Sequence, residues 1–353
     1  MAYNIRCMST IQYFCYTDKF ILESGEYLPG FRIAYQTLGE PNPEQNNTIW
    51  IIHAFSANSN PLDWWPGVVG ENCAIDPKKH FIICANCPGS HYGSTSPLSI
   101  NPETGEPFFH DFPALTHRDV VGMFDALRNH LGIQRIKLLT GPSLGGQQAL
   151  EWAISNPDIF ENLCLVGTNA KHSPWGIAFN ESQRMAIEAD HTWHQRTASA
   201  GLDGMKVARS IALLSYRTAY GYNSTQFEES PKTDRFKASS YQRYQGEKLA
   251  LRFNAFSYWY LSKMMDSHDV GRGRISIENA LQNVKAKTLV VGIESDILFP
   301  VEEQQFLANH ILNAEFTCFS SPFGHDGFLI ENKAMSDVFN RILKQQSVLM
   351  RTV

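Results

Sequence analysis

No apolar run in this 353-residue chain approaches the ~20 residues needed to cross a bilayer. Basic excess is missing too. The chain has 30 Lys and Arg against 35 Asp and Glu, a formal net charge of −5, and no basic cluster. That argues against nucleic acid as a principal partner. The start, Met1 to Phe20, has scattered polar and charged residues and no apolar middle, so it does not read as a signal peptide. Cysteine is sparse: seven residues at irregular spacing. Cys84 and Cys87 stand close, but Cys84 belongs to an apolar strand and no second pair completes a metal-type set. They read as reduced, mostly buried thiols. Internal repeats and low-complexity segments are absent. A cytoplasmic enzyme without a membrane anchor is the expectation.

What is present is a core-forming composition, 43% hydrophobic and 12% aromatic. The length exceeds a typical single domain, so one large α/β unit with an insertion, or two domains, is expected. The stretch from Phe20 to Gly39 alternates apolar and polar residues around turn formers, as a hairpin or edge strands would. Short apolar runs follow at Thr48 to His53, His80 to Ala85, Ile136 to Leu139, Leu163 to Val166, Thr288 to Gly292 and Phe316 to Phe319. Such runs suit strands buried on both faces of a parallel sheet. Helical stretches at Asp119 to Leu131 and Gln147 to Ser155 lie between them, giving the α/β alternation. The order breaks after Gly167. Residues 171–281 are helical in character, and we read them as a lid inserted into a core formed by residues 1–170 and 282–353. Glu228 to Ser240 is polar enough to read as a loop.

One stretch organises the rest: an apolar strand, then Gly141-Pro-Ser143-Leu-Gly145, then a helix. This is the Gly-x-Ser-x-Gly nucleophile elbow, which holds a serine on a tight strand-to-helix turn above a parallel sheet. A serine hydroxyl needs a positioned base to take its proton. In the α/β-hydrolase order the acid follows the serine and the histidine comes last. Asp296 lies just past the strand around Thr288 to Gly292. His325, flanked by Gly324 and Asp326-Gly327, precedes the C-terminal helix. His325 is therefore expected as the base, with Asp296 fixing its tautomer. Two N–H donors should stabilise the oxyanion: that of Leu144, after the nucleophile, and that of Phe55, in the loop after an early strand.

Other candidates point elsewhere. Cys87 has no activating base suggested nearby. His53 and His110 have no partner at metal-ligand spacing, and both are expected to be structural. No metal site is expected. The Gly-rich Cys87 to Gly93 lacks a phosphate-loop lysine, and the two arginines of Gly271-Arg-Gly-Arg274 make no basic patch.

The chain resembles the homoserine O-acetyltransferase family of the α/β-hydrolase superfamily. The resemblance runs through most of the length. It is carried by His53-Ala-Phe-Ser-Ala-Asn58, Gly93 to Ser99 with Asn101-Pro-Glu-Thr-Gly105, and the elbow with Gln148-Ala-Leu-Glu-Trp-Ala153. Arg252-Phe-Asn-Ala-Phe-Ser-Tyr258, Met265 to Arg274, Glu294-Ser-Asp296 and Gly324-His-Asp326 extend it. Pro142 and Leu144 stand where the family usually has Gly and Met, Phe55 where it has Leu, Ser96 where it has Gly, and Asn254 where it has Asp. The resemblance implies ping-pong transfer on the route to methionine. Ser143 takes acetyl from acetyl-CoA as co-substrate, the hydroxyl of L-homoserine displaces it, and His325 shuttles the protons. It also implies that Arg209 holds the homoserine carboxylate, that Asp326 holds its ammonium group, and that the protein is a homodimer built through the lid helices. Succinyl-CoA as donor, serine as acceptor, a plain serine esterase and a catalytically dead binding fold are the alternatives.

Overall fold

The computed structural model describes residues 10–344. Residues 1–9 lie outside it, and with them part of the segment read as lacking a signal peptide. So do residues 345–353, the end of the region assigned to the core.

The first half of the chain alternates short strands with helices. It runs β1 (Gln12–Tyr16), β2 (Phe20–Ile21), β3 (Tyr27–Leu28), β4 (Phe31–Leu38), β5 (Thr48–Ile52) and α1 (Pro61–Trp64). Then come β6 (Phe81–Ala85), α2 (His117–His130), β7 (Ile136–Pro142), α3 (Leu144–Ser155) and β8 (Phe160–Val166). Next are α4 (Pro174–Glu188), α5 (Leu202–Tyr216), α6 (Ala219–Thr225), α7 (Lys237–Ala250), α8 (Ala255–Asp266) and α9 (Ile277–Gln282). The sheet resumes with β9 (Lys287–Ile293), α10 (Val301–His310) and β10 (Ala314–Phe319), closed by α11 (Gly327–Ile330) and α12 (Asn332–Lys344).

Eight strands form one sheet in the order β1-β4-β6-β5-β7-β8-β9-β10. β1 with β4 and β4 with β6 are antiparallel, and every pairing from β6 to β10 is parallel. The fold is therefore the α/β-hydrolase fold expected, a mostly parallel central sheet flanked by helices. β5, Thr-Ile-Trp-Ile-Ile, is buried at every position, because both sheet faces are covered. Trp50 and Ile52 pack on one side with Phe124 and Trp152. Ile49 and Ile51 pack on the other with Trp65 and Phe339. A Thr116/Asp119 capping box starts α2, each residue bonding the other's backbone N–H.

The hairpin reading of the N-terminal stretch holds, and three other local readings are corrected. The alternating N-terminal stretch is a β2–β3 hairpin followed by a long strand, β4, that pairs with β1, which periodicity had not marked. The helix after the elbow begins at Leu144 rather than Gln147, and α7 begins at Lys237, inside the stretch read as loop. Of the six described cysteines, all free thiols, only Cys84, Cys87 and Cys164 are buried, and Cys15 is exposed. Among the described residues no helix is long and apolar enough to cross a membrane.

Candidate active site

The parallel strands β5, β7, β9 and β10 deliver their following loops to one end of the sheet, where ligands of open α/β sheets bind. Ser143 follows β7 with φ 56° and ψ −125°, a left-handed conformation that costs a non-glycine residue roughly 1–3 kcal/mol. The neighbouring glycines make it possible. A Cβ on Gly145 would sit 2.3 Å from the Ile52 carbonyl oxygen, and one on Gly141 2.5 Å from the backbone of Gly145. The Ser143 N–H donates to Val166 O at 2.9 Å, and its carbonyl accepts from the Thr168 hydroxyl at 3.0 Å. The serine is thus clamped between β8 and the start of α3.

Asp296 and His325 come from different loops and meet behind the serine. His325 Nδ1–H donates to Asp296 Oδ2 at 2.6 Å. The other carboxylate oxygen accepts the N–H groups of Leu298 at 2.9 Å and Phe299 at 3.0 Å, so the acid cannot rotate. The imidazole stacks on Phe299, with centroids 5.1 Å apart, and meets the edge of Phe328 at 5.2 Å. Trp65 Nε1 donates to Phe328 O at 2.7 Å, and the two side chains share one core cluster, which ties this loop to the segment after α1. Ser143, Asp296 and His325 are all buried.

A pocket of about 430 Å³ opens over these groups, lined among others by Phe55, Ser143, Arg209, Tyr216, His325 and Asp326. Five of the seven sequence-derived site residues therefore line one cavity. Asp296 stands behind His325, and the Leu144 side chain packs against Met265, Leu298 and Phe299. Leu144 is the first residue of α3, so its backbone N–H has no acceptor inside the helix.

Sequence reasoning missed the groups that surround Arg209 and Asp326. The Arg209 guanidinium lies 5.4 Å from the centroid of the Tyr216 ring. Burial pushes the Tyr216 phenol up from its ordinary value, so it is neutral at physiological pH. Arg217 Nε approaches Asp326 Oδ2 to 2.7 Å, but its N–H is not aligned on the oxygen, so the contact is an ion pair rather than a hydrogen bond. Tyr216 ends α5 seven positions after Arg209, about two helical turns, and that spacing was the available signal; Arg217 is the extended residue just beyond the helix. Arg252 also borders the pocket, bonding Ser56 O at 2.6 Å.

The rejected candidates behave as structure. Burial pushes the Cys87 thiol up to about 12, which removes it as a nucleophile at neutral pH. Arg272 pairs with Glu23, and Arg274 with Glu151, so the Gly-Arg-Gly-Arg segment cross-links the fold. Among the described residues no group of three or more His, Cys, Asp or Glu is placed to hold a metal ion.

A profile of the alpha/beta hydrolase fold matches residues 47–331. The homoserine O-acetyltransferase of Cyclobacterium marinum is 49% identical over 322 residues, 91% of this chain and 92% of its own. Among solved structures, the homoserine O-acetyltransferase from Bacillus anthracis matches with a TM-score of 0.89 at 26% identity, over 95% of this chain and 97% of that one. Esterase E22 matches with a TM-score of 0.84 at 23% identity, over 95% and 100%, a likeness of fold alone.

Proposed function

The chain belongs to the homoserine O-acetyltransferase family of the α/β-hydrolase fold, and from that premise we propose how it works. It transfers an acetyl group from acetyl-CoA to the hydroxyl of L-homoserine in two half-reactions, in the methionine branch of amino-acid synthesis. In the first, His325 takes the Ser143 proton while Oγ attacks the thioester carbonyl. The C–S bond then breaks, CoA thiol leaves with that proton, and acetyl-Ser143 remains. In the second, His325 takes the homoserine hydroxyl proton, the alkoxide oxygen attacks the acyl carbonyl, and Ser143 Oγ is released and reprotonated. Asp296 holds the imidazole and stabilises its cation, and the N–H groups of Phe55 and Leu144 receive the oxyanion in both steps.

One observation carries this reading: Ser143 and His325 share their pocket with a cation and an anion, Arg209 and Asp326, in a lining that also includes Arg252 and Asp63. A zwitterionic amino acid calls for such a pair. Arg209 grips the carboxylate and Asp326 receives the ammonium, an arrangement a simple ester would not require. The helices between β8 and β9 serve as a lid over the site and keep water from the acyl-enzyme, favouring transfer over hydrolysis. Exposed apolar side chains at helical spacing on the lid, Val207 and Leu214 on α5 and Tyr244 and Leu251 at α7, support a homodimer through these helices. The chemistry asks for no metal, and both substrates belong to a cytoplasmic setting.

Free-thiol release from acetyl-CoA and from succinyl-CoA, each with and without L-homoserine, tests the proposal. Fast release that needs homoserine and prefers acetyl-CoA is expected. Release indifferent to homoserine makes the protein a hydrolase, preference for succinyl-CoA changes the donor, and L-serine in place of homoserine checks the acceptor.

A further inference from the structure

We infer that His53 is a positioning residue for the oxyanion hole: its imidazole orients the Ala54–Phe55 peptide so that the Phe55 N–H faces the acyl oxygen. This rests on the acyl-transfer reading above and adds to it the group that sets the geometry of one oxyanion donor.

His53 is the first residue after β5 and is fully buried. Both ring nitrogens are engaged. Nδ1 lies 2.8 Å from the carbonyl oxygen of Ala54, and Nε2 lies 2.9 Å from the backbone nitrogen of Cys87. These partners fix the proton. A carbonyl oxygen only accepts, so Nδ1 carries the hydrogen. An amide N–H only donates, so Nε2 is bare. Burial reinforces the neutral ring by lowering its pKa to about 4.

The Ala54 oxygen belongs to the same planar unit as the Phe55 N–H, and in a trans peptide the two point in opposite directions. Holding that oxygen toward the imidazole turns the N–H away from it. The Ala57 N–H, 3.0 Å from the same oxygen, holds the turn closed. Among the described residues the Phe55 N–H has no protein acceptor, although Phe55 lines the pocket with Ser143. A donor held open in this way is what an oxyanion site requires, because it need not reorganise during the reaction. The anchor of the chain is rigid as well. The Ile52 and His53 carbonyls lie against the elbow, 2.3 and 2.9 Å from the position a Cβ on Gly145 would take.

Three variants separate this role from simple packing. In His53→Asn the side-chain NH2 can take the place of Nδ1–H, while the acceptor for Cys87 is lost. His53→Gln can offer an oxygen to Cys87 but no donor to Ala54, and His53→Leu offers neither. Asn and Gln each give up one hydrogen bond, so their thermal stabilities fall together. Two readouts are then compared: kcat and KM for thiol release, and the rate at which a fluorophosphonate labels Ser143. Labelling forms the Oγ–P bond, expels fluoride and drives the phosphoryl oxygen into the same hole.

Gln and Leu are expected to lose tenfold or more in kcat and in labelling rate, with KM values within about twofold of wild type. Asn should stay within about threefold on both. Equal rates for Asn and Gln, or losses that merely track melting temperature, overturn the role of His53 while leaving Ser143 as nucleophile. Failure of a fluorophosphonate to label Ser143 in the wild-type protein overturns the acyl-enzyme reading itself. If the variants do not fold, the 15N shifts of the wild-type His53 ring decide. A proton on Nδ1 is expected, and one on Nε2 overturns the proposal.

Discussion

In the proposed reading, Asp326 is shared between holding the site, through Arg217, and serving it. One Asp326 oxygen is engaged by Arg217, whose guanidinium also lies 5.6 Å from the Phe323 ring centroid. In the proposed reading, an ammonium group at Asp326 meets the oxygen that Arg217 leaves open, so Arg217 helps set the direction from which the acceptor binds. Arg217→Leu frees the carboxylate and loosens the acceptor. The KM for L-homoserine should rise about tenfold, the loss of ~1.4 kcal/mol expected for one partly exposed charge-assisted contact. Thiol release without acceptor, as a single turnover, should keep the wild-type rate. Stopped-flow detection of CoA thiol measures both, and an unchanged KM would remove Arg217 from the acceptor site.

Elements explain why the site can be built at all. The elbow joins β7 to α3 in a space shared with the end of β5, and there is no room for side chains. A Cβ on Gly145 would meet the Ile52 carbonyl at 2.3 Å, and one on Gly146 would meet Thr168 Cβ at 2.7 Å. The first obstacle is backbone in the centre of a sheet and cannot retreat. Gly145→Ala should therefore destabilise the protein by about 3 kcal/mol or more. Gly105→Ala is the control: its φ of +75° strains any other residue, but nothing lies within 4 Å of the new Cβ. About 1 kcal/mol is expected there. Urea denaturation of both variants makes the comparison, and equal losses would mean that conformational strain rather than collision governs the elbow.

Across the whole molecule, the segment between β8 and β9 is fastened to the sheet domain by buried polar groups. Asn180 on α4 lies 3.2 Å from His172 Nε2 and bonds Asp266 on α8 at 2.9 Å. His172 Nδ1 lies 3.4 Å from Gln147 on α3, which reaches His117 on α2 at 3.1 Å. His268 Nε2 donates to Asn169 O at 2.9 Å. Burial lowers the pKa of His172 to about 4, of His268 to about 3, and of His117 well below its ordinary value. In the unfolded chain each titrates near 6.5. Between that value and about 4 the unfolded state binds protons that the folded state refuses, so stability is complete above about pH 6.5 and falls as the pH drops. Asp119, Asp266 and Glu303, whose pKa values burial raises, oppose the trend at lower pH. His268→Gln keeps a donor toward Asn169 and removes one titrating ring. Its stability should fall less steeply between pH 6.5 and 5, by up to about 1.4 kcal/mol per pH unit. Denaturant midpoints across that range measure it, and parallel slopes for variant and wild type would show that His268 does not titrate there.

What the sequence determined by itself was whatever is local and directional. Apolar runs marked the buried strands because both sheet faces exclude water. Gly141 and Gly145 marked the elbow because only glycine fits between backbones. The order of Ser143, Asp296 and His325 was legible because each follows a strand of the sheet. β1 escaped notice because its burial depends on β4, an element no periodicity in Gln12–Tyr16 announces. Contacts between side chains distant in the chain were decided only by the tertiary structure. Arg217 reaches Asp326 across 109 positions, and Gln147 on α3 joins His117 on α2 to His172 in the loop before α4. His53 read as an isolated core histidine because nothing in its neighbourhood of sequence names Cys87 as the donor to its ring. Charge pairing and tautomer choice depend on where atoms lie in space, and that is settled only when the sheet brings its loops to one end.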